Sequence, residues 1–229
     1  MKNVIAIDGP SGSGKSTVGK ALARRLGGVY LDTGAMYRAV ALAAKRNGIS
    51  MDDGNALGEL CRSLDLSLQA DNDVPRVFLG EEDISQAIRS PEMDMLSSAV
   101  SAVREVRVAM TILQRKLAKG ALVVAEGRDM GTVVFPGSVN KFFLTASPEI
   151  RAERRYRERL GKGEAVSPAD VQSEMRKRDR QDSTRALAPL KAARDALIID
   201  SSELTPVRVV EEICRHLKRG QLKVNNLRK

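Results

Sequence analysis

A short segment near the start of the chain has the residue types and spacing needed to hold a phosphate group. It consists of Gly9, Pro10, Ser11, Gly12, Ser13, Gly14, Lys15, Ser16 and Thr17. Glycines at these places let backbone N–H groups turn inward around phosphate oxygens. We expect Lys15 to reach the β- and γ-phosphates and the Ser16 hydroxyl to ligate Mg²⁺. This segment, called here the phosphate loop, predicts a site for a nucleoside triphosphate such as ATP.

The elements that would position this loop follow a regular alternation. Apolar runs that suit buried parallel strands lie at Val4 to Ile7, Val29 to Leu31, Ala121 to Ala125, Lys141 to Leu144 and Ala196 to Ile199. Each run precedes a turn and a helical pattern, and Ser or Thr before Pro predicts three of the helix starts, at Ser147, Ser167 and Thr205. The alternation predicts an α/β fold of the P-loop NTPase type, with a doubly wound, mainly parallel five-stranded sheet.

Two segments interrupt the alternation. Residues 64–85 have the period-two pattern of a small antiparallel hairpin, and residues 151–185 are strongly charged, which predicts a helical lid over a ligand. We therefore expect a single unit with an inserted lobe. Its core would comprise residues 1–60 and 90–220, and the lid would lie within it. The inserted lobe would comprise about residues 61–89, and residues 221–229 would form a flexible tail.

Composition limits the possible classes of protein. The chain has 229 residues, a formal net charge of +9 and 42% hydrophobic residues, which suits polyanionic ligands. Two distant cysteines predict neither a disulfide framework nor a metal site and favour the cytoplasm. The chain begins with a strand pattern and has no long apolar run, so we expect neither a signal peptide nor a membrane span. Its 3% aromatic content offers little for stacking on single-stranded nucleic acid.

Further motifs predict a second anion site. Asp32–Arg38 reads Asp-Thr-Gly-Ala-Met-Tyr-Arg after the second strand, and Glu126–Thr132 reads Glu-Gly-Arg-Asp-Met-Gly-Thr after the third. Loops that follow parallel strands open at the same edge of a sheet, so we expect Arg38 and Arg128 to converge. A third cluster, residues 178–185, adds more arginines, whose planar guanidinium groups pair with phosphate.

These motifs resemble those of bacterial cytidylate kinase, the CMP and dCMP kinase branch of the nucleoside monophosphate kinases. The resemblance runs from about residue 3 to about residue 217 and includes Arg-Ala-Leu-Ala-Pro-Leu at residues 185–190. It implies transfer of the ATP γ-phosphoryl group to CMP or dCMP with Mg²⁺, by a cytoplasmic monomer without nucleic-acid or membrane partners. The inserted lobe would be the extra nucleoside-monophosphate-binding lobe of the bacterial branch.

The resemblance also implies residue roles. The residues expected to hold the α-phosphate of CMP are Arg38, Arg128 and Arg185. Those expected at the ribose are Arg178 and Asp182, with Tyr37 and Thr33 lining the same cleft. Those expected to read the cytosine edge are Ser98, Arg107 and Asp129. The residues expected to act in catalysis are Lys15, Arg128 and Arg185, and the arginines expected in the lid are Arg151, Arg154, Arg155, Arg157 and Arg159. Glu126 stands where relatives often have Asp, which leaves its contact with a metal-bound water open.

Structural roles stay open for several of these residues. Arg38 could lie along a helix surface, Arg128 and Asp129 could pair only with each other, and Ser98 and Arg107 could belong to a plain helix surface. The residues at positions 178, 182 and 185 could form a solvated salt-bridge ladder on one helical face. The lid arginines could likewise be solvated.

Two other functions remain open from the residues. The phosphate loop also suits a kinase that acts on another small acid, such as a shikimate-like substrate. The basic charge and the polar C-terminus suit a nucleic-acid-binding ATPase. Turnover assays with nucleotides, shikimate or DNA distinguish these functions.

Overall fold

The computed structural model describes residues 3–71 and 74–219. The strands are β1 (Val4–Asp8), β2 (Val29–Asp32), β3 (Leu66–Asp71), β4 (Val74–Leu79), β5 (Glu82–Asp83), β6 (Val123–Gly127), β7 (Asn140–Thr145) and β8 (Leu197–Asp200). The helices are α1 (Lys15–Leu26), α2 (Thr33–Arg46), α3 (Gly54–Ser63), α4 (Pro91–Val100), α5 (Arg104–Leu117), α6 (Pro148–Gly161), α7 (Pro168–Thr184) and α8 (Pro206–Arg219). The predicted tail at residues 221–229 lies outside the described residues.

The main sheet has five parallel strands in the order β2-β6-β1-β7-β8. Strand β1 lies at its centre and is buried along its whole length. It pairs with β6 on one side, with Val4 opposite Val123, and with β7 on the other, with Ile5 opposite Asn140. The predicted α/β fold with a five-stranded parallel sheet is therefore confirmed. Because β1 and β6 are neighbours, the loops that follow them leave the sheet at the same edge.

The chain divides into two compact units, which are described separately. The first comprises the residues up to Tyr30, residues 121–184 and the residues from Ala188 onward. Its core packs α1 and α8 on the central strands, with Leu22 and Ile213 buried beside Ile5 and Phe142. Helices α6 and α7 pack together over a smaller apolar cluster.

The second unit comprises residues 31–120 and 185–187. It contains α2 to α5 and a three-stranded antiparallel sheet in the order β3-β4-β5. In that sheet Leu66 pairs with Leu79, and Phe78 pairs with Asp83. The small antiparallel sheet in the fold prediction is confirmed, and its role in binding a nucleoside monophosphate stays a prediction. Among residues 3–71 and 74–219, no helix has the length and apolar character needed to cross a bilayer.

Candidate active site

The phosphate loop connects the end of β1 to the start of α1. Gly12 and Gly14 have φ values of +74° and +89°, in the left-handed region that favours glycine. A Cβ atom on Gly9 would lie 2.0 Å from the backbone oxygen of Leu144, so a side chain there has no room. Helix α1 begins at Lys15, within the loop segment, so the N-terminal end of its dipole lies at the loop.

Lys15 is buried inside the loop. Its Nζ donates a hydrogen bond of 2.6 Å to the backbone oxygen of Pro10. Burial, together with the positive charge of Arg128, lowers the pKa of Lys15 to about 7, against the opposing effect of the Glu126 carboxylate. Because an added anion favours the charged form of a lysine, this environment suits the binding of a phosphate group.

Ser16 and Glu126 lie side by side. The Ser16 hydroxyl donates to Oε1 of Glu126 at 2.7 Å, and the Tyr30 hydroxyl donates to the same oxygen at 2.5 Å. The glutamate side chain, which is longer than the aspartate often found at this position in relatives, therefore reaches Ser16. Mg²⁺ prefers oxygen ligands such as hydroxyl and carboxylate groups, so Ser16 and Glu126 together fit this ion. In the described part of the chain no cluster of three or more acidic, His or Cys side chains could hold a metal.

Asp8 anchors the loop that follows β6, a role that the sequence analysis did not anticipate. Its carboxylate accepts hydrogen bonds of 2.8 Å from the backbone N–H groups of Met130 and Gly131. Burial raises the pKa of Asp8 to about 6, although these two hydrogen bonds oppose the shift. Asp8 thus fixes the segment that carries Arg128 and Asp129. The only sequence feature that could have indicated this role is an acidic residue at the end of a strand predicted to be buried.

Arg128 is held by a carboxylate of α7. Its Nε donates to Oδ2 of Asp182 at 2.7 Å, and both side chains are largely buried. Burial disfavours the charge on Arg128, but the carboxylates of Asp182, Glu126 and Asp179 together outweigh this effect and raise the pKa of the guanidinium. Arg178, one turn before Asp182, lies close enough to lower the pKa of Lys15. Asp129 is buried directly before a π-helical turn. Several predicted site residues of the first unit therefore cluster around Lys15.

Two lid arginines brace the phosphate loop. Nη1 of Arg151 donates to the backbone oxygen of Ser11 at 3.2 Å and to Oδ2 of Asp179 at 2.7 Å. Arg154 lies beside the backbone oxygen of Gly12 at 3.5 Å and also donates to Ser201. These contacts join α6 to the loop.

The other lid arginines make ion pairs within the lid. Arg159 is buried, with its Nε 2.7 Å from Glu164 and its Nη1 2.7 Å from Glu174. Arg155 pairs with Glu158, and Arg157 is an exposed residue paired with Glu153. Arg159 thus links α6 to α7, and the predicted contacts of these arginines with ATP stay a prediction.

In the second unit, Arg38 lies between two carboxylates. Its guanidinium nitrogens are 3.5 Å from Asp32 and 3.6 Å from Asp94. Asp32 also caps α2 by accepting a hydrogen bond from the Ala35 backbone N–H, so it orients the helix that carries Arg38. Thr33 is buried at the first position of this helix. The arrangement presents a partly buried guanidinium at the start of α2.

The remaining predicted residues of the second unit meet around Ser101, which the sequence analysis did not single out. The Ser101 hydroxyl donates to the backbone oxygen of Ser98 at 2.8 Å and accepts from Nη1 of Arg185 at 3.0 Å. Nη1 of Arg107 donates to the Ser101 backbone oxygen, and its guanidinium lies 5.8 Å from the centre of the Tyr37 ring. Four predicted site residues therefore share one neighbourhood.

Comparison with known proteins places these features in a family. The family model described as cytidylate kinase matches residues 5–219. A cytidylate kinase of Geobacter sp. (strain M21) is 49% identical over 94% of this chain and 92% of its own length. That of Mycobacterium leprae (strain Br4923) is 49% identical over 92% of this chain and 93% of its own. A solved structure of an uncharacterized protein from Eubacterium ventriosum shares the fold, with a TM-score of 0.52 and 15% identity over 94% of this chain and 98% of that chain. The resemblance stated from the motifs is confirmed: this chain belongs to the cytidylate kinase family.

Proposed function

We propose that this protein transfers the γ-phosphoryl group of ATP to CMP or dCMP and releases ADP with CDP or dCDP. We further propose that it does so with Mg²⁺, as a monomer in the cytoplasm. The observation that carries the proposal is the buried Lys15 within a glycine loop in a member of this family. Cys61 and Cys214 are buried and form no disulfide among the described residues, which is consistent with a reducing compartment.

On the donor side, the backbone N–H groups of the phosphate loop would surround the β- and γ-phosphates of ATP. Lys15 would neutralise charge as the γ-phosphoryl group moves, and Ser16 and Glu126 would hold Mg²⁺. When bound, this ion would neutralise part of the negative charge of the triphosphate. Arg151 and Arg154 keep the loop in shape through its carbonyls. Catalysis by these residues is positioning and electrostatic stabilisation.

On the acceptor side, a phosphate oxygen of CMP is already a nucleophile at neutral pH, so no general base is required. We assign Arg38, Arg128 and Arg185 to this phosphate, because guanidinium groups pair with it bidentately. Asp129 would accept from the exocyclic amine of cytosine. Uracil offers a carbonyl oxygen there instead, which has no proton to donate to the carboxylate, and this mismatch discriminates strongly against uracil.

The remaining assignments follow the same chemistry. The residues proposed to contact the rest of CMP are Thr33, Tyr37, Ser98, Arg107, Arg178 and Asp182. Arg178 offers hydrogen-bond donors and Asp182 offers acceptors, which suit the ribose hydroxyls. The Ser98 hydroxyl and the Arg107 guanidinium suit the acceptors on the cytosine edge. The inserted lobe, which contains the β3-β4-β5 sheet, would take part in binding the monophosphate.

ADP release with ATP, Mg²⁺ and a panel of acceptors tests this function. We expect CMP and dCMP to react fastest, UMP far more slowly, and shikimate and DNA to have no effect. Rapid ADP release with DNA or shikimate, and none with CMP, contradicts the proposal.

The site assignment is tested with Lys15→Ala. Loss of the lysine charge should lower kcat by about a thousandfold or more, while the affinity for CMP, measured by calorimetry, stays nearly unchanged. Lys45→Ala is the matched control, because Lys45 is exposed and pairs only on the surface with Glu92; its kcat should equal that of the wild type. An equal loss of CMP affinity in Lys15→Ala would contradict the separation of donor and acceptor roles.

A further inference from the structure

Two hydroxyl groups converge on one oxygen of Glu126. Tyr30 donates to Oε1 at 2.5 Å, and Ser16 donates to the same atom at 2.7 Å. A hydroxyl has a single proton and two lone pairs. Because the Ser16 proton is directed to Glu126, the lone pairs of Ser16 face away from the carboxylate. The carboxylate therefore determines which way the serine oxygen can accept or ligate.

The ring of Tyr30 is held firmly on α1. A Cβ atom on Gly19 would lie 2.9 Å from Cε2 of Tyr30 and 3.4 Å from Cδ2, so the ring packs directly on the glycine backbone. Nζ of Lys20 lies 5.8 Å from the ring centre, and the ring packs against the buried cluster that contains Val124. A packed aromatic ring has few rotatable bonds. Its hydroxyl is therefore a fixed donor.

Glu126, by contrast, has one more rotatable bond than aspartate would have at this position. A longer side chain loses more conformational entropy when it is ordered, so its carboxylate needs an additional contact to stay in one orientation. The Tyr30 hydroxyl provides that contact through a rigid ring, while Ser16 occupies the other approach to the same oxygen.

We propose that Tyr30 is a positioning residue for the binding of the magnesium–triphosphate complex. Its hydroxyl fixes the Glu126 carboxylate, which in turn orients the Ser16 hydroxyl. This role rests on the proposed function, since it concerns the residues that would hold Mg²⁺. Tyr30 would act through Glu126, to which its hydroxyl donates, and it lies outside the motifs that identify the phosphate loop.

The test is Tyr30→Phe, which keeps the ring on Gly19 and removes only the hydroxyl. Binding of ATP is measured by calorimetry twice, once with excess MgCl₂ and once with excess EDTA. We expect the affinity for ATP with Mg²⁺ to fall by about tenfold, the effect of losing one hydrogen bond to a charged group. The affinity in EDTA and the KM for CMP should change by less than about twofold.

Two further variants separate positioning from a general structural effect. In a Glu126→Gln background, Tyr30→Phe should weaken magnesium-dependent ATP binding by less than about a further twofold, because the residue it positions has changed. Ser138→Ala removes another buried hydroxyl, which donates to the backbone oxygen of Val4 at 2.6 Å. The Ser138→Ala substitution should lower the melting temperature. The ratio of the ATP affinity with Mg²⁺ to the ATP affinity with EDTA should stay as in the wild type.

If Tyr30→Phe does not fold, Gly19→Ala displaces the ring while keeping the phenol, and should produce the same magnesium-selective loss. The proposal is overturned if the variant that folds weakens ATP binding equally with Mg²⁺ and with EDTA. It is also overturned if that variant leaves ATP binding with Mg²⁺ unchanged, or if Tyr30→Phe weakens this binding as much in the Glu126→Gln background as in the wild type. A wild-type protein that releases no ADP with CMP would instead refute the proposed function, whereas an active wild type with a silent Tyr30→Phe refutes only the role of Tyr30.

Discussion

The buried carboxylate of Asp8 makes a quantitative prediction about stability and pH. Its pKa of about 6 in the folded protein lies above the ordinary value of 3.8, so the folded chain binds this proton more tightly than the unfolded chain does. The contribution to stability is therefore complete below about pH 4 and is lost as the pH rises through about 6. The shift from 3.8 to about 6 corresponds to about 3 kcal/mol, of which about 2 kcal/mol is lost between about pH 4.5 and 7.

Asp8→Asn removes this proton and keeps the size of the side chain. The free energy of unfolding of the variant, relative to the wild type, should therefore rise by about 2 kcal/mol between about pH 4.5 and 7. Urea titrations followed by circular dichroism measure this difference, since the chain has no tryptophan. Asp195→Asn is the matched control: the pKa of the exposed Asp195 is lowered from 3.8 by its hydrogen bond with Lys141, so this carboxylate stays ionised between about pH 4.5 and 7 and its difference should stay nearly constant. A difference for Asp8→Asn that stays constant across this pH range would refute the reasoning.

Two more substitutions, the first with a control variant, test the loop and the lid. Gly9→Ala places a Cβ atom 2.0 Å from the backbone oxygen of Leu144 and should cost more than about 3 kcal/mol. Gly27→Ala, which also has a positive φ but no described atom within 4 Å of the new Cβ, should cost only about 1 kcal/mol; equal costs in urea titrations would contradict the steric argument. Arg159→Met, which removes the ion pairs of a buried arginine with its two lid glutamates, should cost about 1–2 kcal/mol. An unchanged urea midpoint would contradict this structural role.

Local signals predicted much of the fold. The five apolar runs became the five strands of the main sheet, because burial on both faces leaves a continuous apolar pattern. The three helix starts were also visible, since each depends on a few adjacent residues. The Ser147 hydroxyl accepts from the Ile150 N–H at 3.3 Å, that of Ser167 from the Asp170 N–H at 3.1 Å, and Thr205 plays the same part at α8.

Contacts between distant residues could not be predicted in this way. Asp8 and Met130 are separated by 122 positions, and no local pattern records their hydrogen bond. The spacing of residues 178, 182 and 185 suggested one helical face, but α7 ends at Thr184, so Arg185 lies beyond the helix. The suggested partner of Arg128 was the adjacent Asp129, whereas its observed ion pair is with Asp182. Motifs supplied the candidate residues, and the tertiary fold determined their partners.

The charges around Lys15 explain why acidic residues belong in a site built for anions. Burial disfavours the charge on Lys15, and the positive charges of Arg128 and Arg178 add to that cost. Asp182 holds Arg128 in place, and Glu126 counters part of the repulsion on Lys15. Cations fixed in this way need little rearrangement when charge develops on a phosphoryl group, which is the condition for electrostatic catalysis. Removing a carboxylate should therefore impair phosphate binding even though it makes the site more positive.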